Sequence, residues 1–481
     1  MKISRTSQRL LAGILVTGVL SLPEISSGQT EQSRPTSGDL AVILAGDRNL
    51  KNYDLSNLRL QGMDMSKSNM DNTKLVSAFI INSNLNNASL IGTNMSSAKL
   101  LTSILDNTTM GNANLSCVVM ISDEFKACRF ENADLSGSYI DKGNFTGSVF
   151  DKSDISNSLI RDSDFSNSSL KDCDLHDSTL IDVIMKDVVI SKINMSGARL
   201  ENVDMRNKSD MRPGLSEANM NCAVLISVKM PRADLKGAFL GSSYIYKSNL
   251  SDSLLSNAHL AGASVTDSDL RRADLRYASL NYIMLDNSDL THANLSNAEM
   301  TNSTLKNTDL SNATLDNADL KNSNLSGIIL KNSVLTGCNL ENADLTNANL
   351  KNANLENARI SGSKLNNADL SKSNLAGLNF MALDLRGADL SGAVLTNADL
   401  RKANLAGAKL KEAVLQNANL EDAILTGCDL QNADLSNTNC KGADFTGADL
   451  KGAGFNGADT ANALNLKDAK NTDKANGLIL N

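Results

Sequence analysis

The stretch "NADLTNANLKNANLENARI", residues 342–360, places Leu345, Leu350, Leu355 and Ile360 five residues apart. The same phase runs through most of the chain. Of the 82 positions counted in fives from Leu50 to Phe455, 80 are Leu, Ile, Met, Phe or Val, the exceptions being Asp210 and Cys440. With only 41% of the chain hydrophobic, chance does not produce that pattern. Neither ordinary element accepts it. Five residues of α-helix advance about 140° beyond a full turn, so the apolar side chains would spiral around every side. On a straight strand five is odd, so successive leucines would point to opposite faces. The chain must therefore bend once per pentad, always in the same sense.

A second restricted slot lies two residues before each central apolar residue. It usually holds Ala, Ser, Thr, Cys or Val, as at Ala343, Ala348, Ala353 and Ala358. Residues two apart on an extended segment share a face, so the small and large residues point inward together. The residue between them, commonly Asp or Asn, points out. The last two positions are rich in Asn, Gly, Ser, Lys and Asp, which suit a corner.

This A(D/N)LXX pattern resembles the pentapeptide-repeat family over about 85% of the chain, with a phase that does not slip. The resemblance implies an all-β fold: a right-handed quadrilateral β-solenoid with four pentads per coil. About 20 coils at a strand spacing of ~4.8 Å would form a rod on the order of 100 Å long. Open solenoid ends expose strand edges and need covering. We expect an N-terminal cap over 29–49, with "SGDLAVILAGD" (Ser37 to Asp47) as a short helix, the solenoid over 50–459, and a C-terminal cap over 460–481. Two stretches break the pattern. At 206–214, "RNKSDMRPG", an inward Asp210 and Lys208 would be very costly in a dry shaft, which predicts an outward loop or a kink. Because the phase resumes at Leu215, the loop is expected to hold a whole number of pentads. At 121–128, Asp123 occupies a small slot and predicts a second bulge. Each reads either as a functional loop or as a tolerated insertion.

Residues 1–28 stand apart. Lys2, Arg5 and Arg9 precede "LLAGILVTGVLSL", and small residues follow at Ser26 and Gly28. That is the anatomy of a secretory signal peptide cleaved before Gln29. The run is short for a membrane span, so no stable membrane insertion is expected after cleavage. The expected location is exported, either periplasmic or secreted, or the thylakoid lumen in a cyanobacterium. Taking Lys2, Arg5, Arg9 and Glu24 away moves the net charge from −8 to −10. There is no basic block to suggest nucleic acid. Seven cysteines are an odd and sparse set for a disulfide scaffold, and Cys128, Cys173, Cys338 and Cys428 stand in the small slot as core fillers.

No constellation carries catalysis. His176, His259 and His292 are far apart in sequence, and no CxxC, Cys/His cluster or Gly-rich phosphate loop is present. We read the chain as a non-enzyme with no cofactor and no metal site. Two kinds of outward column stand out when every twentieth residue is taken. One reads Asp269, Asp289, Asp309, Ile329, Asn349, Asp369, Asp389, Lys409, Asp429, Asp449. It is either a cation or basic-partner stripe or, as we prefer, a solvated face compensated by neighbouring Arg and Lys. The other is apolar: Phe79, Val119, Tyr139 and Leu159 in one column, Val224, Tyr244 and Met284 in another, with Phe239, Tyr246, Tyr277 and Tyr282 nearby in sequence. Phe79, Val119, Tyr139, Leu159, Phe239, Tyr244 and Met284 form the candidate partner surface.

The leading expectation is thus an exported, non-catalytic repeat scaffold that binds an unidentified protein partner or other copies of itself. The alternatives are a DNA-mimicking topoisomerase-binding protein of the quinolone-resistance type, known in the resembling family, and a secreted effector. Duplex DNA carries one negative charge per ~1.7 Å, or nearly three per coil, whereas this chain supplies about half a net charge per coil. Mass spectrometry of the chain recovered from its host is expected to find an N-terminus near Gln29 outside the cytosol. An intact Met1 in the cytosol would overturn the export assignment.

Overall fold

The computed structural model describes residues 37–208 and 212–478; the signal-like segment lies outside them. Helix α1 (Ser37–Ala45) comes first and buries Leu40 and Leu44 against the start of the hydrophobic shaft. From Asn49 onward the chain climbs as a parallel β-solenoid. Each pentad contributes one bridge to the coil above and one to the coil below, and bridged residues are 20 apart: Asn49 with Asn69, Asp54 with Lys74, Arg59 with Phe79, Asp64 with Asn84. Four ladders follow, hence four faces, called first to fourth in that order. The leucines at every fifth position are buried, as are the small residues two before them.

The corners explain the polar half of the repeat. Ala348 N–H donates to the Leu345 carbonyl (3.0 Å), closing a turn whose third residue, Asn347, has φ 59°. Only Gly, Asn and Asp enter that left-handed region at low cost, and Asn dominates this position along the chain. The outward Asp or Asn closes the same corner from the other side. Thr346 N–H donates to Asp344 Oδ1 (3.1 Å), Lys351 N–H to Asn349 Oδ1 (3.1 Å) and Ser311 N–H to Asp309 Oδ1 (2.8 Å). These are Asx turns. Corner asparagines also stack: Asn352 Nδ2 donates to Asn332 Oδ1 (3.0 Å), and Asn332 to Asn312 (3.1 Å).

Between Arg59 and Thr266 the third face departs from this rule. Here three-residue strands form: β1 (Arg59–Gln61), β2 (Phe79–Ile81), β3 (Lys99–Leu101), β4 (Val119–Ile121), β5 (Tyr139–Asp141) and β6 (Leu159–Arg161). On the first face lie β7 (Ser169–Lys171) and β9 (Val189–Ser191), which pair with each other. The third face continues with β8 (Thr179–Ile181), β10 (Arg199–Glu201), β11 (Val224–Ile226), β12 (Tyr244–Tyr246) and β13 (Ser264–Thr266). Its eleven strands make one parallel sheet in the order β1-β2-β3-β4-β5-β6-β8-β10-β11-β12-β13. Outward residues on these strands are mostly β-branched, aromatic or aliphatic, which favour extended backbone and cannot form Asx turns.

The corner after such a strand finds other acceptors. Ser83 N–H donates to Ser103 Oγ (3.3 Å), Gly143 N–H to Ser163 Oγ (3.0 Å) and Ser248 N–H to Ser268 Oγ (3.2 Å), each one coil on. Asp123 belongs to this buried column. It does not bulge: 121–128 keeps the repeat, and Asp123 is 1% exposed. Its carboxylate accepts from Ser103 N–H (2.6 Å) and Ile121 N–H (2.9 Å), which supplies the partners a buried charge requires. Gly143 follows one coil later, where a Cβ would stand 2.5 Å from the Phe145 ring. That ring is one of a stack, with Phe125–Phe145 at 4.9 Å and Phe130–Phe150 at 4.5 Å.

In the stretch at 206–214, residues 209–211, with Asp210, lie outside the described residues, and the register of the ladders changes around them. Across that stretch the ladders step by 25 instead of 20: Arg199 pairs with Val224, Asp204 with Lys229, Asn194 with Asn219. One whole pentad is displaced between the fourth and first faces. The chain re-enters at Gly214, where a Cβ would lie 2.5 Å from the Ile190 carbonyl oxygen. At the far end, two 3₁₀ turns (Leu466–Asp468 and Thr472–Lys474) follow the last regular coil, with Leu466 buried.

Burial pushes the Asp123 carboxyl up to about 7, against its two backbone donors. The unfolded chain releases that proton near 3.8, so the native state holds more protons between these values and stability falls as pH rises from about 4 to 7. Three units correspond to roughly 4 kcal/mol at most. Asp123→Ser, which restores the hydroxyl used by its neighbours, is expected to be more stable than the parent at pH 8 and to flatten the pH 4–8 slope in chemical denaturation. An unchanged slope would refute the assignment.

A candidate docking face

The extended backbone of the third face turns two side chains of each strand outward, one on either side of the buried central residue. The first column runs Phe79, Lys99, Val119, Tyr139, Leu159, Thr179, Arg199, Val224, Tyr244, Ser264 and on to Met284, all bridged in register. The two apolar columns expected from the sequence are therefore one. The displaced pentad shifts the numbering by five without breaking this face, since it leaves the wall between the fourth and first faces.

The second column was missed by sequence reasoning: Ile81, Leu101, Ile121, Ile181, Ile226 and Tyr246, each following the central residue. That slot is a polar corner position elsewhere, so apolar residues recurring there at the coil period were the available signal. Both columns are half-buried by their neighbours, with Tyr244 and Met284 more open at 41% and 43%. Lys99 Nζ lies 5.2 Å from the Phe79 ring centroid, a cation–π distance. The Tyr244 and Tyr246 rings are 6.0 Å apart. Burial raises the Tyr139 phenol above its ordinary range, and the Asp141 carboxylate adds to this. Charges punctuate the face at Asp141, Arg161, and the Arg199–Glu201 ion pair (2.6 Å).

One residue of the expected surface lies elsewhere. Phe239 belongs to the second face, in the ladder Asn219–Phe239–His259, and stacks on the His259 ring at 5.0 Å. Tyr277 and Tyr282 stand at the corners bordering that face, both exposed and at positive φ.

The acidic column forms the fourth face from Asp269 to Asp449. Its carboxylates serve the corners, as Thr291 N–H to Asp289 (2.9 Å) and Ser371 N–H to Asp369 (2.9 Å) illustrate. Cations interleave: Arg271 pairs with Asp269 at 2.7 Å and lies 3.8 Å from Asp289, and Lys409 pairs with Asp389 at 3.3 Å. Among the described residues, no group of three or more His, Cys, Asp or Glu side chains is arranged to hold a metal ion. His176 Nδ1 lies 2.9 Å from Asp174 Oδ1, whose hydrogen bond raises the imidazole above its usual range.

The thiols divide by position. Burial pushes Cys128 and Cys440 up to about 11 and Cys173 and Cys428 up to about 12, and raises Cys338 as well. Cys128 Sγ donates to the Leu105 carbonyl at 3.0 Å. Such thiols stay protonated and inert. Between Ile160, Phe165, Leu180 and Met185 the shaft leaves a void of about 10 Å³, at the lower bound for one water. Among the described residues, no helix is long and apolar enough to cross a membrane.

Models of "Pentapeptide repeats" match residues 128–167, 168–207, 248–282, 285–322, 379–417, 388–427, 413–452 and 428–459, and a "Pentapeptide repeat region" matches 308–379. No curated protein matches the chain. Among solved structures, the chain is similar to HetL, a pentapeptide repeat protein involved in heterocyst differentiation regulation from the cyanobacterium Nostoc sp. strain PCC 7120. The identity is 34% over 44% of this chain and 89% of that one, with a TM-score of 0.24. QnrB1, a plasmid-mediated fluoroquinolone resistance protein, is 22% identical over 39% of this chain and 89% of its own, with a TM-score of 0.21. A pentapeptide repeat protein of the Arabidopsis thaliana thylakoid lumen is 23% identical over 27% and 68%, with a TM-score of 0.14.

Of the seven cysteines, only Cys117 and Cys222 are exposed. A native thiol titration with a disulfide reagent is expected to consume two equivalents rapidly and the other five only on unfolding. Rapid reaction of more than two would contradict the burial.

Proposed function

The chain belongs to the pentapeptide-repeat family, and on that premise we propose that it is an exported, non-catalytic scaffold whose third face binds protein. The observation that carries this reading is the pair of largely apolar outward columns on the eleven-stranded third face, interrupted by charges on β1, β3, β5, β6 and β10. Every other outward column is dominated by Asp, Asn, Ser, Thr and Lys, which close corners or solvate the wall. A face that forgoes that chemistry over ten coil steps exposes apolar patches punctuated by charge, the mark of an interaction surface. Its length is roughly 50 Å at ~4.8 Å per strand.

Catalysis finds no support in the arrangement. The three histidines sit on separate coils, the buried thiols are held protonated, and the shaft is filled by side chains. The acidic column gives no support to DNA mimicry either, because its carboxylates are spent on backbone corners and interleaved with Arg and Lys. Export rests on the signal-like first 28 residues.

Tyr139→Asp and Tyr244→Asp place a carboxylate on the strip while leaving the shaft intact. Each is expected to reduce capture of the native partner from the exported fraction of the host at least tenfold, with an unchanged circular dichroism spectrum. Capture that survives both changes would remove the third face from the function.

A further inference from the structure

We propose, building on the scaffold reading, that the occupant of the third face is the third face of a second copy, packed antiparallel about a dyad between β5 and β6. The centre of the face carries the first sign. Asp141 and Arg161 are register partners on these adjacent strands. They do not pair with each other: neither joins an ion pair among the described residues, and the Arg161 side chain instead hydrogen-bonds the Tyr139 phenol on the neighbouring strand. A dyad running parallel to the strands between β5 and β6 sets Asp141 of each copy against Arg161 of the other. Two reciprocal ion pairs result, and each Asp141 acquires a cationic partner.

Most of the remaining rungs agree with that axis. Moving outward, β4 meets β8 of the second copy, which places Ile121 against Ile181. Next, β3 meets β10, where Lys99 faces Arg199 and lies diagonal to Glu201, the partner of Arg199 in its own chain, so this rung opposes the pairing unless Glu201 is shared between the two cations. Then β2 meets β11, with Phe79 against Val224 and Ile81 against Ile226. Finally β1 meets β12, where Arg59 faces Tyr244, a cation–π pairing. Apolar strands thus meet apolar strands at β4 with β8 and at β2 with β11. A parallel pairing about an axis along the rod would instead set Lys99 on Leu101 and Arg161 on Leu159, burying cations against aliphatic side chains. The self-complementarity is what an isologous twofold contact demands. Ten strands of about 4.8 Å by a three-residue width of about 10 Å give a footprint of roughly 500 Å² per copy. The total of about 1,000 Å² sits at the lower bound for a biological interface, in the range of weak or transient contacts.

Sedimentation velocity of the purified full chain at micromolar concentration tests this directly. The parent is expected to sediment at twice the chain mass. Asp141→Arg alone, and Arg161→Asp alone, should each set like charges face to face at both central positions and weaken the dimer at least tenfold. The double variant Asp141→Arg/Arg161→Asp restores opposite charges across the dyad and should recover the dimer, and circular dichroism spectra matching the parent show that the single variants fold. A monomeric parent overturns the proposal, as does a dimer indifferent to the single reversals or one that the double reversal fails to rescue. The scaffold reading is judged separately: a monomer that still loses host-partner capture in Tyr139→Asp keeps that reading and removes only self-pairing. A monomer whose capture ignores Tyr139→Asp and Tyr244→Asp removes both.

Discussion

Everything in this molecule depends on the coupling between an inward leucine every fifth residue and a backbone ladder that repeats every twentieth. A single coil encloses almost no core, since each Leu touches solvent above and below until the next coil arrives. Stacking supplies the missing burial and, in the same step, pairs every extended peptide with its neighbours. The two requirements fix each other. A slip of one residue would send the leucines out of the shaft, so the wall tolerates only changes of a whole pentad. The displaced segment near 206–214 obeys that rule: the ladders resume 25 residues on with all four faces in phase.

Given that frame, the outward residues are not free. On the other three faces the outward Asp or Asn accepts from the backbone two residues on and holds the corner, as at Asp434, Asp319 and Asp309. What looks like a surface charge pattern is largely turn chemistry, and the Arg and Lys beside it form exposed pairs of small energetic weight. The third face abandons this device between Arg59 and Thr266. Its backbone straightens into strands, and the corner amides turn to a buried column of serines one coil further on. The apolar surface and the polar column beneath it are two consequences of the same change in turn type. Asp123 is the extreme member of that column, a carboxylate held in place because the amides it serves have lost their usual carbonyl.

Much of this was legible in the chain itself, and the failures are instructive. The phase, the small slot and the need for a bend follow from spacing alone. Phe79, Val119, Tyr139, Leu159, Val224, Tyr244 and Met284 could be picked out because they occupy a slot that elsewhere holds Asp or Asn. Their union into one column could not, because counting in twenties ignores a pentad that leaves the wall. Phe239 was grouped with them by nearness in sequence, although the next corner carries it to another face. Ile81, Ile121 and Ile226 were passed over because the slot after each leucine is a corner wherever the outward residue is Asx, and a strand only where it is not. The bulge expected at Asp123 failed for a similar reason: an inward carboxylate is costly only when nothing donates to it.

The sequence by itself determined the repeat, the inward and outward assignment of nearly every side chain, and the solenoid class, because a five-residue apolar period admits few backbone paths. The tertiary structure alone decided which outward residues become neighbours. That choice depends on how many residues each coil consumes and on which turn closes each corner, and both are settled by hydrogen bonds between coils 20 or 25 residues apart. Asp141 beside Arg161, and Tyr244 in line with Tyr139, exist only at that level.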